Sequence, residues 1–337
     1  MDWFEKITGF REDGYESTRS KLSVVDGHLH STRSDRTCAV GRLETPTLAE
    51  LRQRTAGMTT GTGPTRVSWV RGDVRAMHRD SGNAGALFQV ASQFNLLEMT
   101  SPSVSPEDGV TRYADDGTQG PACAIAAGGG TIYRNYFAPV DGHVGQTKGR
   151  QINCLRDIGA RLGNDDGSLW TMRNGYCMTT EAGLAAIDER LGSLDADAMD
   201  ELMGCLRIGL QWNVEVTDHD AGHRVSQAYC SALPVSYNQV RRPSSWERFT
   251  CLVLNAAYEA TLLSAVLNRQ AGGPPVVYLT RLGGGVFGNE PAWIVKAVRR
   301  ALMVCRDIGL DVRIVSSNAP SIDMQKLANE FNSFGNL

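Results

Sequence analysis

Closely spaced cysteine pairs are absent from this chain of 337 residues. Its eight cysteines are well separated, and the nearest two, Cys230 and Cys251, are 21 positions apart. Zinc sites and thiol-exchange motifs commonly use a CxxC pair, which this sequence lacks. Most of the cysteines lie in apolar stretches, which favours reduced thiols in the core of a cytoplasmic protein.

Long apolar runs and an excess of either charge are absent as well. No apolar run approaches the roughly 18 residues of a membrane span, and the start MDWFEKITGFRED is too acidic and polar for a signal peptide. The 34 basic and 37 acidic residues give a net charge of −3, which argues against a dedicated nucleic-acid binder. We therefore expect neither a nucleic-acid nor a membrane partner.

Two common catalytic signatures are also missing, whereas glycine is abundant. The sequence contains no G-x-S-x-G nucleophile motif and no Walker-type phosphate loop. Glycine supplies 36 of the residues, which is about 11% against a typical ~7%. Such an excess indicates many tight turns or backbone that approaches a ligand closely.

Hydrophobic periodicity near the end of the chain predicts a βαβ unit. PVVYLT at 275–280 and DVRIVS at 311–316 are short β-branched runs typical of buried strands. Between them, PAWIVKAVRRALMVCRDIG has helical periodicity and a proline suited to a first helical turn. Two strands joined by a helix are typical of an α/β fold with a partly parallel sheet.

Further elements are predicted along the rest of the chain, and no repeat or linker divides it. The spacing of Thr47 and Glu50 is that of a capping box at the start of a helix over 46–55. The other predictions are strands at 22–25, 67–70, within 86–99 and at 224–230, and helices at 181–191, 195–210 and 246–270. We expect one large domain, with an N-terminal extension packed on the core (1–65), a core (66–320) with a helical insertion near 180–210, and a C-terminal helix or tail (321–337).

Two glycine clusters are candidate binding loops. The run Gly283–Asn289 (GGGVFGN) lies between a predicted strand and a predicted helix, where backbone N–H groups and the helix dipole can hold a phosphate or diphosphate. Gly128–Gly130 follows another apolar segment. The two clusters together suggest two walls around one extended ligand, and tight turns without a ligand are the alternative for each.

Carboxylates are concentrated in the long polar segment between residues 98 and 116. They are Glu98, Glu107, Asp108, Asp115 and Asp116. A pair such as Asp115-Asp116 in a loop bounded by glycine can supply a general acid or base, or ligands for a metal. A solvated turn is the alternative. Farther along, Glu259 lies on an apolar helix, where a buried structural carboxylate and a site residue are both open.

A DxHxH pattern near the start of the chain is an independent candidate. Asp26, His28 and His30 follow a predicted strand and resemble the first metal motif of amidohydrolases and PHP-type phosphoesterases. Such a site needs further ligands downstream, for which His219 and His223 have a plausible spacing. A surface or structural role is the alternative, and we expect no metal or cofactor.

Five segments, taken in order, resemble the motifs of macrodomains. They are VRGDV at 70–74, FQVASQFN at 88–95, AGGGTIY at 127–133, RNGYCMT at 173–179 and VYLTRLGGGVFGN at 277–289. The closer likeness is to the poly(ADP-ribose) glycohydrolase-like branch, which includes bacterial effector-type hydrolases that remove ADP-ribose from proteins such as ubiquitin. The resemblance implies that the 66–320 core binds ADP-ribose and has a three-layer α/β/α mixed sheet with helical insertions.

The resemblance also implies roles for individual residues. Asp73 would contact the adenine amino group, Gln93 and Asn95 would lie near the distal ribose, and both glycine clusters would contact the diphosphate. Phe287 or Tyr136 would stack on a ring. The binding residues expected on this basis are Asp73, Gln93, Asn95, Gly128, Gly129, Gly130, Tyr133, Tyr136, Gly283, Gly284, Gly285, Val286, Phe287, Gly288 and Asn289.

The chain departs from the family at the catalytic segment. The Gln-Glu-Glu expected after the triple glycine is replaced here by Tyr-Arg-Asn-Tyr, so a catalytic carboxylate must come from elsewhere. The expected catalytic residues are Asp116, Asp115 and Glu98. The prediction is a monomeric cytoplasmic hydrolase that removes ADP-ribose from modified protein side chains, with ADP-ribosylated ubiquitin as a candidate substrate. A non-catalytic ADP-ribose reader and a metal-dependent hydrolase built on the DxHxH pattern are the alternatives.

Overall fold

The computed structural model describes residues 1–58, 63–240, 242–317 and 322–334. The strands in these ranges are β1 (Leu22–Val25), β2 (His28–Ser31), β3 (Ser34–Ala39), β4 (Arg42–Glu44), β5 (Arg66–Arg71), β6 (Leu87–Ala91), β7 (Pro139–Val140), β8 (His143–Val144), β9 (Trp170–Arg173), β10 (Tyr176–Thr179), β11 (Gly209–Glu215), β12 (Arg224–Cys230), β13 (Val276–Leu279) and β14 (Asp311–Ser316). The α-helices are α1 (Trp3–Thr8), α2 (Tyr15–Ser20), α3 (Leu48–Thr55), α4 (Val74–Arg79), α5 (Gln119–Ala126), α6 (Gly128–Tyr136), α7 (Arg156–Leu162), α8 (Glu181–Gly192), α9 (Ala196–Gly204), α10 (Pro243–Gln270), α11 (Pro291–Val304) and α12 (Ile322–Phe334).

Seven of the strands form one mixed sheet at the centre of the fold, in the order β4-β11-β12-β6-β13-β14-β5. The pairs β4–β11 and β11–β12 are antiparallel. The strands β12, β6, β13, β14 and β5 run parallel to one another. Their carboxyl ends therefore lie at one edge of the sheet, where open α/β sheets usually bind ligands.

Helices cover both faces of this sheet. Neighbouring residues on β6 show the two faces, because the amide of Gln89 donates to Thr261 of α10 at 2.8 Å, whereas Phe88 stacks on His78 of α4. Against α10 pack α3, α8, α9 and α11, while α5 contacts β6 and α6 contacts β11. The predicted three-layer α/β/α arrangement is confirmed, and so is the βαβ unit β13-α11-β14. The segment near 180–210 contains the helices α8 and α9, and its description as an insertion stays a prediction.

The long helix α10 is the central helix of its layer. It is long and apolar enough to cross a membrane by length and composition alone, but 83% of its most apolar window is buried inside the protein. Burial of this kind is what a core helix in an α/β fold requires. The sequence prediction over 246–270 captured all of it except its first turn.

A buried carboxylate on α10 ties four helices together. Glu259 is 1% exposed, accepts a bond of 2.6 Å from Arg52 of α3 and also pairs with Arg300 of α11. Asp200 of α9 pairs with the same two arginines. Because a buried carboxylate needs paired partners, this network gives Glu259 a structural role in the helical layer.

The N-terminal segment is built into the fold and extends it. The strands β1, β2 and β3 form a separate antiparallel sheet, whereas β4 joins the central sheet as its edge strand beside β11. The capping box predicted for α3 is present, since Thr47 accepts from the Glu50 N–H and Glu50 accepts from the Thr47 N–H. Residues before position 66 thus supply one strand of the central sheet.

Candidate functional site

A cavity of about 150 Å³ opens at the carboxyl edge of the parallel strands. Residues within two positions of the ends of three neighbouring strands contribute to it, namely Ser92 after β6, Ala232 after β12 and Thr280 after β13. Its lining also includes Gln93, Glu98, Met99, Thr100, Asp116, Thr118, Gln119, Gly120, Pro121, Tyr176, Tyr237, Arg281, Leu282, Gly283, Gly285, Val286 and Phe287. The site therefore lies where the topology of the sheet predicts a ligand.

The predicted glycine loop between β13 and α11 forms one wall of the cavity. Gly283 has a φ of +71°, and a Cβ there would lie 2.6 Å from the Cβ of Ala232. Asn289 closes the loop, because its backbone N–H donates to the Gly283 carbonyl at 2.9 Å and its amide donates to the Leu233 carbonyl at 2.8 Å. Gly283, Gly285, Val286 and Phe287 line the cavity, whereas Gly284, Gly288 and Asn289 belong to the frame of the loop.

The first turn of α5 forms a second backbone wall, which the sequence analysis missed. Gly120 lies so close to β6 that a Cβ would be 1.9 Å from the Ala91 carbonyl oxygen and 2.3 Å from Glu98 Oε2. The Gln119 amide anchors this turn, since it accepts from the Ala91 N–H and donates to the Gln89 carbonyl. The first N–H groups of a helix lack intrahelical acceptors and favour an anion. In the sequence, the start of this helix could have been predicted from Thr118, a common N-cap residue, and from the proline three positions later.

Glu98 places a buried carboxyl group in the cavity. The residue is 3% exposed, its backbone N–H donates to the hydroxyl of Tyr113 at 3.0 Å, and its Oε1 has no hydrogen-bond partner within the described part of the chain. Burial raises the pKa of this carboxyl well above its usual value, the charge of Arg134 opposes the rise, and that of Asp116 adds to it. A carboxyl group whose pKa is raised in this way is suited to act as a general acid.

The two aspartates predicted as catalytic differ in their placement. Asp116 lines the cavity and also a neighbouring depression of about 390 Å³. Its Oδ1 accepts from the backbone N–H of Thr118 at 2.8 Å, next to the start of α5. Asp115 lines only the depression, together with Thr100 and Arg112. Asp116 is therefore the aspartate that shares the cavity with Glu98.

Three aromatic rings form the remaining side of the cavity. The ring centroids of Tyr176, Tyr237 and Phe287 lie 5.1 to 5.6 Å apart. Gln93 connects this group to the turn that carries Glu98, because its Oε1 accepts from the Met99 N–H at 2.7 Å and its amide lies 3.4 Å from the Tyr176 hydroxyl. Such rings offer a surface on which a sugar or a base can stack.

The structure places Gly128–Gly130 outside this cavity. The predicted loop is wrong there, because the three glycines form the first turn of α6 and are buried. A Cβ at Gly128 would lie within 3 Å of Trp3 and Ile7, and one at Gly129 would lie 2.5 Å from Cys38. Glycine here allows the N-terminal segment to pack closely on a helix, and the second wall of the cavity is the start of α5.

Four further residues expected to bind the ligand do not line the cavity. Asp73 is the N-cap of α4 and accepts from the Arg75 N–H. Asn95 is buried and its amide donates to Gln151. The Tyr136 hydroxyl donates to the partly buried Glu12 at 2.6 Å, and Tyr133 packs half-buried against the core. Gln93, Val286 and Phe287 line the cavity, and their contact with a ligand stays a prediction.

The DxHxH pattern does not build a metal centre. Asp26 occupies the hairpin turn before β2, with a φ of +48°, while His28 and His30 lie on β2 itself. Across residues 1–58, 63–240, 242–317 and 322–334, no group of three or more His, Cys, Asp or Glu side chains is placed to hold a metal ion. The metal-dependent alternative therefore lacks the further ligands it requires.

Similarity to known proteins is found among solved structures. No family model matches the chain, and no curated protein matches it. The poly(ADP-ribose) glycohydrolase from Thermomonospora curvata is 14% identical, with 94% of this chain and 95% of that chain covered and a TM-score of 0.47. The poly(ADP-ribose) glycohydrolase from Deinococcus radiodurans, solved in complex with ADP-ribose, is also 14% identical, with 96% and 99% covered and a TM-score of 0.47.

Proposed function

We propose that this protein hydrolyses the glycosidic bond between ADP-ribose and a modified protein side chain. The observation that carries this proposal is that a glycine loop, the start of a helix and one buried acid line a single cavity. The Gly283–Gly288 loop and the start of α5 offer N–H groups to a diphosphate. Glu98 then faces the sugar that such a diphosphate carries.

The size of the cavity favours an extended ligand of which one part is enclosed. Small-molecule sites commonly measure roughly 300–1,000 Å³, whereas this cavity measures about 150 Å³ and continues, through Thr100 and Asp116, into the depression of about 390 Å³. A diphosphate and one ribose would occupy the cavity, and the remaining groups would extend along its mouth. Phe287 and Tyr237 would stack on the enclosed sugar or on a ring beside it.

The chemistry requires a proton for the leaving group and a carboxylate near the anomeric carbon. Cleavage of a glycosidic bond proceeds through an oxocarbenium-like state, and a carboxyl group with a raised pKa is suited to protonate the departing atom. Glu98 would serve as this acid. Asp116 would orient or activate the attacking water, and the anchored diphosphate would hold the sugar in place.

Calorimetric titration with ADP-ribose, and with AMP and NAD as controls, tests the binding half of the proposal. We expect ADP-ribose to bind more tightly than AMP, because AMP lacks the second phosphate. Release of ADP-ribose from an ADP-ribosylated protein, followed by mass spectrometry, tests the reaction. ADP-ribosylated ubiquitin is one substrate to use in this assay, and its role as the natural substrate stays a prediction. The cytoplasmic location also stays a prediction.

Glu98→Gln should bind ADP-ribose and lose about 10²- to 10⁴-fold in turnover, as expected when a general acid is removed. The matched control is Glu107→Gln, which changes a carboxylate of the same segment outside the cavity and should retain full turnover. Full turnover by Glu98→Gln would contradict its role as the general acid. Full turnover by Asp116→Asn would contradict the role of Asp116 in orienting or activating water. Tight binding by the wild-type protein without any release would leave an ADP-ribose reader in place of an enzyme.

A further inference from the structure

Arg134 on α6 is a fully buried arginine that the proposed chemistry does not use. Its guanidinium lies over the ring of Tyr229, with Cζ 3.7 Å from the ring centroid, and its Nη1 has no hydrogen-bond partner in the described part of the protein. None of the ion pairs within 4 Å in the described part of the chain includes Arg134. Burying a charge without an ion-pair partner costs folding free energy. We therefore ask which function of Arg134 offsets this cost.

The hydrogen bonds of Arg134 lead to the turn that carries Glu98. Its Nε donates to the Leu96 carbonyl at 3.0 Å and its Nη2 donates to Thr131 at 3.0 Å. Leu96 has a φ of +64°, a left-handed conformation that is strained for a side chain of this kind. The turn is closed on both sides of Leu96, because its N–H donates to the Gln93 carbonyl and the Gln93 N–H donates to the Leu97 carbonyl.

This strained turn determines which side chains reach the cavity. Gln93 stands at its start and Glu98 at its end, and both line the cavity. Arg134 approaches from α6, on the protein side of the turn, and its positive charge acts on Glu98. The guanidinium thus fixes the turn through a carbonyl oxygen, and its charge favours the ionised form of the Glu98 carboxyl group.

We propose that Arg134 is the positioning residue for Glu98: it holds the Leu96 carbonyl, and with it the turn that presents Glu98 to the cavity. In addition, its positive charge opposes the rise in the pKa of Glu98 that burial causes. This inference deepens the proposed function and rests on it for the role of Glu98. Titratable groups on the neighbouring elements also interact electrostatically with Glu98. They are Asp116, Tyr113, Cys123, Tyr176 and Tyr229.

Two substitutions separate the charge from the geometry. Arg134→Lys retains a positive charge but lacks the fork that binds Leu96 and Thr131 together. Arg134→Gln retains a donor for the Leu96 carbonyl but carries no charge. The control is Arg161→Gln, which removes an exposed arginine of α7. Circular dichroism establishes that each full-length variant is folded.

The first measurement is the titration of the Glu98 carboxyl carbon by NMR, with the signal assigned by its loss in Glu98→Gln. Removing a nearby cation disfavours the carboxylate, so Arg134→Gln should raise the titration midpoint by about one pH unit or more. Arg134→Lys and Arg161→Gln should stay within about 0.3 unit of wild type, since one keeps the local cation and the other removes a remote one. An unchanged midpoint in Arg134→Gln overturns the electrostatic part of the proposal.

The second measurement is the steady-state kinetics of ADP-ribose release. Arg134→Lys should lower kcat by about tenfold or more with KM nearly unchanged, because a small displacement of an acid affects the reaction step more than binding. Wild-type kcat in this variant overturns the positioning part. The NMR titration needs no substrate, so it still decides the role of Arg134 if the protein fails to release ADP-ribose.

Discussion

At the scale of single residues, the state of Glu98 couples the stability of the protein to pH. Burial raises the pKa of its carboxyl group in the folded protein, while the unfolded chain retains the ordinary value near 4.3. Below that ordinary value the group is neutral in both states. As the pH rises above the ordinary value and through the raised pKa, the free energy of unfolding falls, because the carboxyl group ionises more easily in the unfolded chain.

Glu98→Gln removes this coupling and should be more stable than wild type at pH 8. Glutamine stays neutral at every pH, so the two proteins should differ little near pH 4 and diverge as the pH rises. Denaturant unfolding at pH 4, 6 and 8 measures the difference, with Glu107→Gln as a control at an exposed position. A variant whose stability relative to wild type is the same at pH 4 and pH 8 would contradict the burial argument.

Residue identities were predictable from the sequence where chemistry alone selects them. Glu98 and Asp116 stand out as carboxylates in a long polar segment, and both line the cavity. The fixed position of Glu98 was not predictable, because it depends on the Leu96 turn and on Arg134, which comes from a helix 36 residues farther along. The contributions of Tyr176 and Tyr237 likewise depend on the packing of distant segments.

At the scale of elements, the loop between β13 and α11 contains two glycines with different requirements. A Cβ at Gly283 would meet Ala232 and Asn289 below 3 Å on a backbone with positive φ, whereas a Cβ at Gly285 would have open space. Gly283→Ala should therefore destabilise the protein by about 1–3 kcal/mol. Gly285→Ala should leave the free energy of unfolding within about 0.5 kcal/mol of wild type.

Both substitutions should weaken the binding of ADP-ribose, but for different reasons. In Gly283→Ala the loop changes its course, whereas in Gly285→Ala a methyl group enters the cavity, which Gly285 lines. Thermal unfolding and calorimetric titration of the two variants distinguish these effects. Unaltered ADP-ribose affinity in Gly285→Ala would show that the loop does not contact the ligand closely.

Elements were predictable where one periodicity continued over a long segment. The βαβ unit β13-α11-β14 and the helix α10 follow directly from strand and helix patterns in the sequence. The two glycine clusters look alike in the sequence, yet one closes a loop and the other allows close helix packing against Trp3 and Cys38. Local sequence does not separate these roles, since the partner that approaches the glycine comes from far away along the chain.

At the scale of the whole molecule, the N-terminal segment holds the acidic segment beside the cavity. The carboxylate of Glu12 accepts from the Val110 and Thr111 N–H groups, at 2.8 to 2.9 Å, and from the Tyr136 hydroxyl. Trp3 adds a bond from its indole N–H to the Thr111 carbonyl. The first residues of the chain thereby fix the backbone that leads to Asp116.

Glu12→Gln should release this backbone, because an amide presents its NH₂ group to donors that need an acceptor. Loss of these bonds should cost about 1–3 kcal/mol of unfolding free energy, and amide hydrogen exchange at Val110 and Thr111 should become faster. ADP-ribose affinity should fall as the segment carrying Asp116 loosens. Glu16→Gln is the control, since Glu16 is an exposed carboxylate on α2.

Unchanged exchange at Val110 and Thr111 in Glu12→Gln would contradict a role for the N-terminal segment in holding the site. Faster exchange together with unchanged ADP-ribose affinity would confine that role to stability. The expected result, in which both change, would mean that the site depends on the N-terminal segment as well as on the core. The sheet supplies the cavity, α6 positions the acid through Arg134, and the N-terminal segment fixes the loop that carries the second carboxylate.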